Sequence, residues 1–235
     1  MALYNLKKQS LLCLVWMGFL FGQSNIDFRF DTYVDGDFVT HADNIIESTA
    51  MWIGNSAPVW MEENQRFYGR ITGIQQNKIT GYQLSLPHFS AFVKASKNLV
   101  LSLKVMGFSI NEDSPQILGG GIRLNLGDKE NPKWQFIAER IHISGLRDFR
   151  LNTTSLSFAR KFIFWNITSS FGFGVNAYKA STFSQIEAIP KNINKEINFI
   201  SLHSTFPIRY FEIGFGLKLY THVSTIQFSL AKGFR

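Results

Sequence analysis

From Trp165 to Ala177 the chain alternates at period two. Trp165, Ile167, Phe171, Phe173, Val175 and Ala177 fall on one side, and Asn166, Thr168, Ser170, Gly172, Gly174 and Asn176 on the other. Successive side chains of a strand point to opposite faces of its sheet, so one face is greasy and the other small and polar. The same division recurs from Arg209 to Tyr220. There Phe211, Ile213, Phe215, Leu217 and Leu219 oppose Tyr210, Glu212, Gly214, Gly216, Lys218 and Tyr220. Leu99, Leu101, Leu103 and Val105 repeat it, as do Leu118, Ile122, Leu124 and Leu126 against Gly119, Gly121, Arg123 and Asn125. A chain of 235 residues that is 45% hydrophobic and 17% charged is neither a disordered tail nor a charged coiled coil.

Two architectures bury one face of such strands: a soluble barrel or sandwich with the greasy face inward, or a membrane barrel with it outward. The runs last about 10 to 14 residues. Soluble strands average about 5 or 6, whereas a tilted strand crossing a bilayer needs about 9 to 11. Gly, Ser, Thr and Asn dominate the polar face, which suits a close-packed lumen better than a solvated surface rich in Lys and Glu. The expected fold is an all-β, antiparallel transmembrane β-barrel. Its lumen side carries Arg123, Asn125, Asn166, Thr168, Gly172, Gly174, Asn176, Glu212 and Lys218. Its lipid side carries Trp165, Ile167, Phe171, Phe173, Phe211, Ile213, Phe215, Leu217, Phe228 and Phe234.

Ten candidate strands lie near residues 65–75, 79–93, 98–110, 116–126, 133–145, 150–160, 164–178, 195–205, 209–220 and 224–235. Turn-rich breaks separate them, including one near Arg160-Lys161 and one at Phe206-Pro207. Bacterial single-chain membrane barrels have even strand counts, which fits ten, with twelve as the alternative. With the C-terminus in the periplasm, the longest connection, residues 180–194, falls outside the cell. Trp134, Trp165, Tyr178, Tyr210 and Tyr220 lie near strand ends, where interfacial aromatic girdles belong.

Residues 1–24 read as a secretory signal peptide. Lys7 and Lys8 precede an apolar run from Leu11 to Phe21, too short to span a bilayer, and Gly22-Gln23-Ser24 supplies small residues for cleavage. Removing this leader takes the only Cys, Cys13, and both its lysines, lowering the formal charge from +7 to +5. Residues 25–64 read as a periplasmic or lumen-filling segment ahead of a barrel at 65–235. Asn25 to Val34 alternates like a strand. Thr40 to Asn55 reads as a helix capped by Thr40, with Ile45, Ile46, Ala50 and Ile53 near one face.

At the other end of the chain Ile226, Phe228, Leu230 and Phe234 alternate up to the last residues. This closing aromatic strand resembles the assembly signal of bacterial outer-membrane β-barrel proteins. The resemblance covers about residues 65–235 and lies in pattern, not in a specific motif; Arg235 ends the chain and Lys232 interrupts the apolar face. It implies Sec-type export to the bacterial outer membrane, contact with outer-membrane lipid, and recognition by the barrel-insertion machinery through the last strand.

Little in the sequence points to chemistry. His142 and Ser144 share one strand face and Asn152 follows on the next strand, a His, Ser and Asn set of the kind used in acyl transfer and by outer-membrane phospholipases. Its spacing is common by chance, so a lipid hydrolase using Ser144 and His142 is the minor alternative. A soluble periplasmic barrel binding an apolar ligand is the other. The five His are scattered without metal-ligand spacing, and the glycine runs at 119–121 and 172–174 lack a phosphate-loop context. No metal, cofactor or nucleic-acid partner is expected, and a small ligand or ion is left undetermined. The expected role is non-enzymatic: structural, adhesive or narrow-pore transport, with Arg123 and Lys218 favouring anions if the lumen is open.

Overall fold

Hydrogen bonds between neighbouring strands close on themselves in the computed structural model, which describes residues 27–31, 37–76, 87–110, 112–128 and 131–235. The strands are β1 (Phe67–Gln76), β2 (Pro87–Lys94), β3 (Leu99–Gly107), β4 (Gln116–Leu126), β5 (Trp134–Ser144), β6 (Phe149–Phe164), β7 (Ile167–Thr182), β8 (Asn192–Ile208), β9 (Phe211–Tyr220) and β10 (Ser224–Phe234). Each pairs antiparallel with its sequence neighbours, and β1 pairs with β10 from Phe67↔Phe234 to Gln76↔Thr225. The fold is a closed antiparallel barrel of ten strands. Closure removes both sheet edges, so no described strand presents a free row of amides.

Tight turns gather at one end of the barrel, where β1 begins and β10 stops; this is the turn end. Two of its turns fall later than their sequence signals. The β6–β7 hairpin turns at Trp165-Asn166, not at Arg160-Lys161, because Phe164 pairs with Ile167. Trp165 there takes a left-handed φ of 53°. Arg160 and Lys161 stay in the wall, held over the rings of Trp134 at 5.4 Å and Trp60 at 5.1 Å. The β8–β9 hairpin likewise turns at Arg209-Tyr210, with φ 45° at Arg209, while Pro207 pairs with Glu212. Both are two-residue turns of the kind that requires positive φ, built here without the glycine that usually marks them.

The opposite, loop end carries the long connections 108–115 and 183–191 beside the short ones at 145–148 and 221–223. Because β7 runs to Thr182 and β8 starts at Asn192, the connection between them is 183–191, shorter than the 180–194 read from sequence. Segment 77–86, which includes the expected first residues of the second strand, lies outside the described residues, as do the leader and half of the expected strand at 25–34. The described part of that last segment, 27–31, forms no strand.

The only described helix, α1 (Phe38–Ile53), lies inside the barrel. It starts two residues before Thr40, and Asp37 caps it by accepting the Thr40 amide at 3.1 Å. Asp reaches the third helical N–H from the capping position, which is why it outcompetes Thr40. Ala42, Ile45, Ile46, Ala50, Met51 and Trp52 are almost wholly buried. From Asp27 to Arg66 the chain enters at the loop end, where Phe30 donates to Asp148 Oδ2 at 2.7 Å. It leaves at the turn end, where Arg66 donates to the Phe234 carbonyl at 2.9 Å.

Candidate functional site

Among the described residues the lumen is the most elaborated part of the molecule, and α1 and residues 54–59 occupy it. At the loop end Phe28, Phe30, Trp52, Phe108 and Phe149 form a ring cluster with centroids 5.5 to 6.4 Å apart. Such ring pairs add to the burial of their area. Just outside it, Lys195 Nζ bridges Asp43 and Glu47 of α1 at 3.0 and 3.7 Å. Hydrogen bonds from Thr40 hold the Asp37 carboxyl below its usual range, whereas burial raises that of Asp113 in the β3–β4 connection.

Deeper in, polar side chains of the wall grip the backbone of the inserted segment. Asn176 Nδ2 donates to the Ala50 carbonyl at 3.0 Å and accepts from Thr153 Oγ1 at 2.8 Å. Gln76 donates to the Ser48 carbonyl at 2.7 Å. Lys104 Nζ donates to the carbonyls of Ile53 and Asn55 at 2.9 and 3.0 Å, placing a cation at the helix C-terminus, where the backbone dipole favours one. Arg70 reaches the carbonyls of Ala57 and Pro58. Gln135 clamps Val59 from both sides, accepting its N–H at 3.1 Å and donating to its carbonyl at 2.8 Å. Every one of these wall residues is at least nine-tenths buried, a placement that requires such partners.

Arg123 and Glu139 form a buried ion pair among them, and Ser102 donates to the same carboxylate at 3.0 Å. Lys218 sits with Nζ 4.0 Å over the Phe199 ring. The described part of the lumen centre thus holds Arg70, Lys104, Arg123 and Lys218 against one fully buried carboxylate, Glu139, with Glu212 half-buried beneath the Tyr68 hydroxyl at 2.7 Å.

Of the residues read as lumen-facing, Arg123, Asn125, Gly172, Asn176 and Lys218 are buried inside, and Thr168, Gly174 and Glu212 are half-buried. A side chain at Gly174 would meet the Phe199 ring at 2.7 Å, so glycine there makes room for the ring. Asn166 is in the exposed hairpin turn instead of the wall. Of those read as lipid-facing, Phe171, Phe173, Phe211, Phe215 and Phe234 are exposed on the outer wall, and Ile167, Ile213, Leu217 and Phe228 are partly exposed. Trp165, 84% exposed, is at the tip of its turn. Tyr178 and Tyr220, expected in an interfacial girdle, are buried and face inward.

The residues that grip the inserted segment, Gln76, Lys104 and Gln135 foremost, were not singled out from the sequence. Lys104 and Gln135 carry a signal, because each is a long polar side chain in line with a second polar residue on the same strand face, Ser102 on β3 and Glu139 on β5. His142 Nδ1 and Asn152 Oδ1 meet at 3.0 Å across the β5–β6 pair, but Ser144 makes no hydrogen bond with that His. Two members of the hydrolase set are joined and the nucleophile is not. Among the described residues no group of three or more His, Cys, Asp or Glu is placed to hold a metal.

No protein-family model matches the chain, and no curated protein matches it. Solved structures similar to it include the outer membrane protein Omp33 of Acinetobacter baumannii, at TM-score 0.36 and 9% identity over 72% of this chain and 98% of that one. The translocator domain of the autotransporter NalP from Neisseria meningitidis matches at TM-score 0.40 and 10% identity, over 83% and 96% of the two chains. Ail, the attachment invasion locus protein of Yersinia pestis, matches at TM-score 0.28 and 12% identity, over 74% and 98%. These structures are bacterial outer-membrane β-barrels; the closed barrel of this chain rests on its own strand pairing.

Proposed function

We propose that this chain is a non-enzymatic bacterial outer-membrane β-barrel protein, exported with cleavage of residues 1–24, whose role is structural or adhesive and whose lumen is closed at rest. The observation that carries this reading is the inversion of its faces. Large apolar side chains such as Phe89, Leu103, Phe171, Phe173 and Ile200 stand 47 to 54% exposed, while Arg123, Lys104, Glu139 and Lys218 are buried. Contiguous exposed apolar surface on that scale is a membrane or partner face, and a soluble barrel with an apolar ligand inside would have the opposite arrangement. Within the three roles expected from the sequence, the filled lumen supports structure or adhesion over transport, since α1 and residues 54–59 occupy the path an ion would take. The last strand, β10, would supply the contact with the insertion machinery.

The test joins two measurements on the full chain. Samples run unboiled and boiled should differ in mobility, with a β-type circular dichroism spectrum in detergent. Planar bilayers containing the protein should show no steady conductance. A protein that remains monodisperse in buffer without detergent removes the membrane reading, and steady ion steps from the intact chain remove the closed lumen.

A further inference from the structure

Two grooves lie on the outer wall of β5 to β9, one above the other. The lower, about 740 Å³, is lined chiefly by apolar side chains, among them Phe136, Leu156, Phe158, Phe173, Ile200 and Leu219. The upper, about 550 Å³, is polar and lies towards the loop end, with Arg140, Asn152, Thr154, Lys179, Asn194 and Glu196 along it. Register shows that they are adjacent. Leu156, Val175 and Asn198 pair in one cross-strand row bordering the lower groove. Arg140, Thr154, Ala177 and Glu196 pair in the next outward-facing row. Two residues along a strand separate them, roughly 7 Å.

The chemistry changes across that step. Below it the outward positions of β6 and β7 are Phe158, Leu156, Phe173 and Val175; above it they are Thr154, Asn152, Ala177 and Lys179, with Arg140 alongside on β5. Arg140 and Lys179 are exposed and in no ion pair, although Glu196 shares their groove. Long apolar tails fit the lower groove and an anionic oxygen cluster fits the upper, and one molecule carrying both is a phosphorylated lipid.

We infer that this face binds an anionic phospholipid of the leaflet on the loop side, one whose phosphate is not neutralised by a cationic headgroup, acyl chains against Phe158 and Phe173 and phosphate between Arg140 and Lys179. The inference rests on the membrane reading above. Guanidinium and ammonium groups both bind phosphate oxygens through charge-assisted hydrogen bonds. Asn152 and Asn194, paired with Lys179 in the same row, add neutral donors. Glu196 opposes the phosphate, so its removal should strengthen binding.

The full chain in detergent is titrated with phosphatidic acid and with phosphatidylcholine, and retained lipid is counted by native mass spectrometry. The wild type is expected to retain phosphatidic acid preferentially. Arg140→Gln and Lys179→Gln should each reduce that preference roughly fivefold, the effect of one cation near an anionic lipid surface, and Glu196→Gln should raise it. Lys97→Gln, in the β2–β3 turn at the opposite end, should leave it unchanged. Equal retention of the two lipids overturns the inference, as does a preference that survives the double variant or falls as far in Lys97→Gln. The same samples run unboiled and boiled report whether each variant is a folded barrel. Loss of the mobility shift in the wild type therefore sinks the membrane reading itself, separately from the lipid result.

Discussion

The inner and outer faces of the same strands obey different rules, and β9 shows both. Outward, Phe211, Ile213, Phe215, Leu217 and Leu219 follow one another with no polar contact to satisfy. Inward, Glu212 accepts from the Tyr68 hydroxyl, Lys218 and Tyr220 pack on the Phe199 ring, and Gly214 and Gly216 leave room for Ser229 and Gln227. An apolar face in lipid needs only to be greasy, because burial in hydrocarbon is non-directional. A polar face sealed inside needs each donor and acceptor placed, because an unpaired buried group costs its full desolvation. The outer face should therefore tolerate any apolar exchange and reject charge, whereas the inner face should reject the loss of a single atom.

The sharpest break of this contrast is at Glu139. Replacing it with Ala leaves Arg123 buried without its carboxylate, and stability should fall by about 3 to 5 kcal/mol, the cost of removing one partner of a buried pair. Chemical unfolding in detergent micelles, followed by Trp fluorescence, measures it. A loss no larger than about 1 kcal/mol, the scale of an exposed pair, would show that the lumen is wet and the two faces less distinct than drawn.

On the outer face, Phe171→Lys is the matching experiment. Phe171 lies midway along the apolar stretch of β7 and is 49% exposed. A lysine at bilayer depth should cost about 2 to 4 kcal/mol in lipid vesicles. In a water-soluble barrel the same substitution would be neutral or would improve solubility, so an unfolding curve that does not move contradicts the lipid-facing assignment.

The legibility of the sequence follows the same division. The outer face and the strand number could be read because alternation needs only local spacing, and Trp165 to Ala177 or Arg209 to Tyr220 display it within one segment. Residues from Ile45 to Ile53 could be read as a helix for the same reason. What the helix touches could not be read, since Gln76, Asn176 and Gln135 lie 28, 126 and 76 residues from the groups they hold. Turn positions failed locally: Arg160-Lys161 has the polarity of a turn but its charges are covered by Trp134 and Trp60, while Trp165-Asn166 turns without glycine. Tyr178 and Tyr220 misled because tyrosine suits both a membrane interface and a lumen wall.

A smaller effect tests how tightly the inserted segment is held. Gln135→Leu keeps the side-chain volume close but abandons both backbone groups of Val59 and the Asn125 Oδ1 acceptor. The expected cost is about 1 to 3 kcal/mol, that of buried polar groups left unpaired. Hydrogen exchange at the Val59 amide should accelerate while strand amides keep their protection. Equal acceleration throughout the barrel would mean that plug and wall open as one unit, so that Gln135 stabilises the whole fold and not the insertion alone.

The smallest effect lies at the rim, where neither rule is strict. Asp113 in the β3–β4 connection is buried and accepts the Arg147 amide at 2.7 Å, yet its pKa is raised because desolvation outweighs that bond. A carboxyl whose folded pKa exceeds its unfolded value binds protons more readily in the folded state. Its contribution to stability is therefore best below the unfolded pKa and declines as pH rises through the folded one. Asp113→Asn keeps an oxygen for the Arg147 N–H and removes the charge that burial penalises. The variant should melt slightly higher than the wild type at pH 8, and the difference should vanish in acid, where the wild-type carboxyl is itself protonated. Thermal scans at the two pH values measure it. A variant that melts lower at pH 8 would mean that charge on the acceptor outweighs its desolvation, and that this rim site follows the specific pairing rule of the lumen.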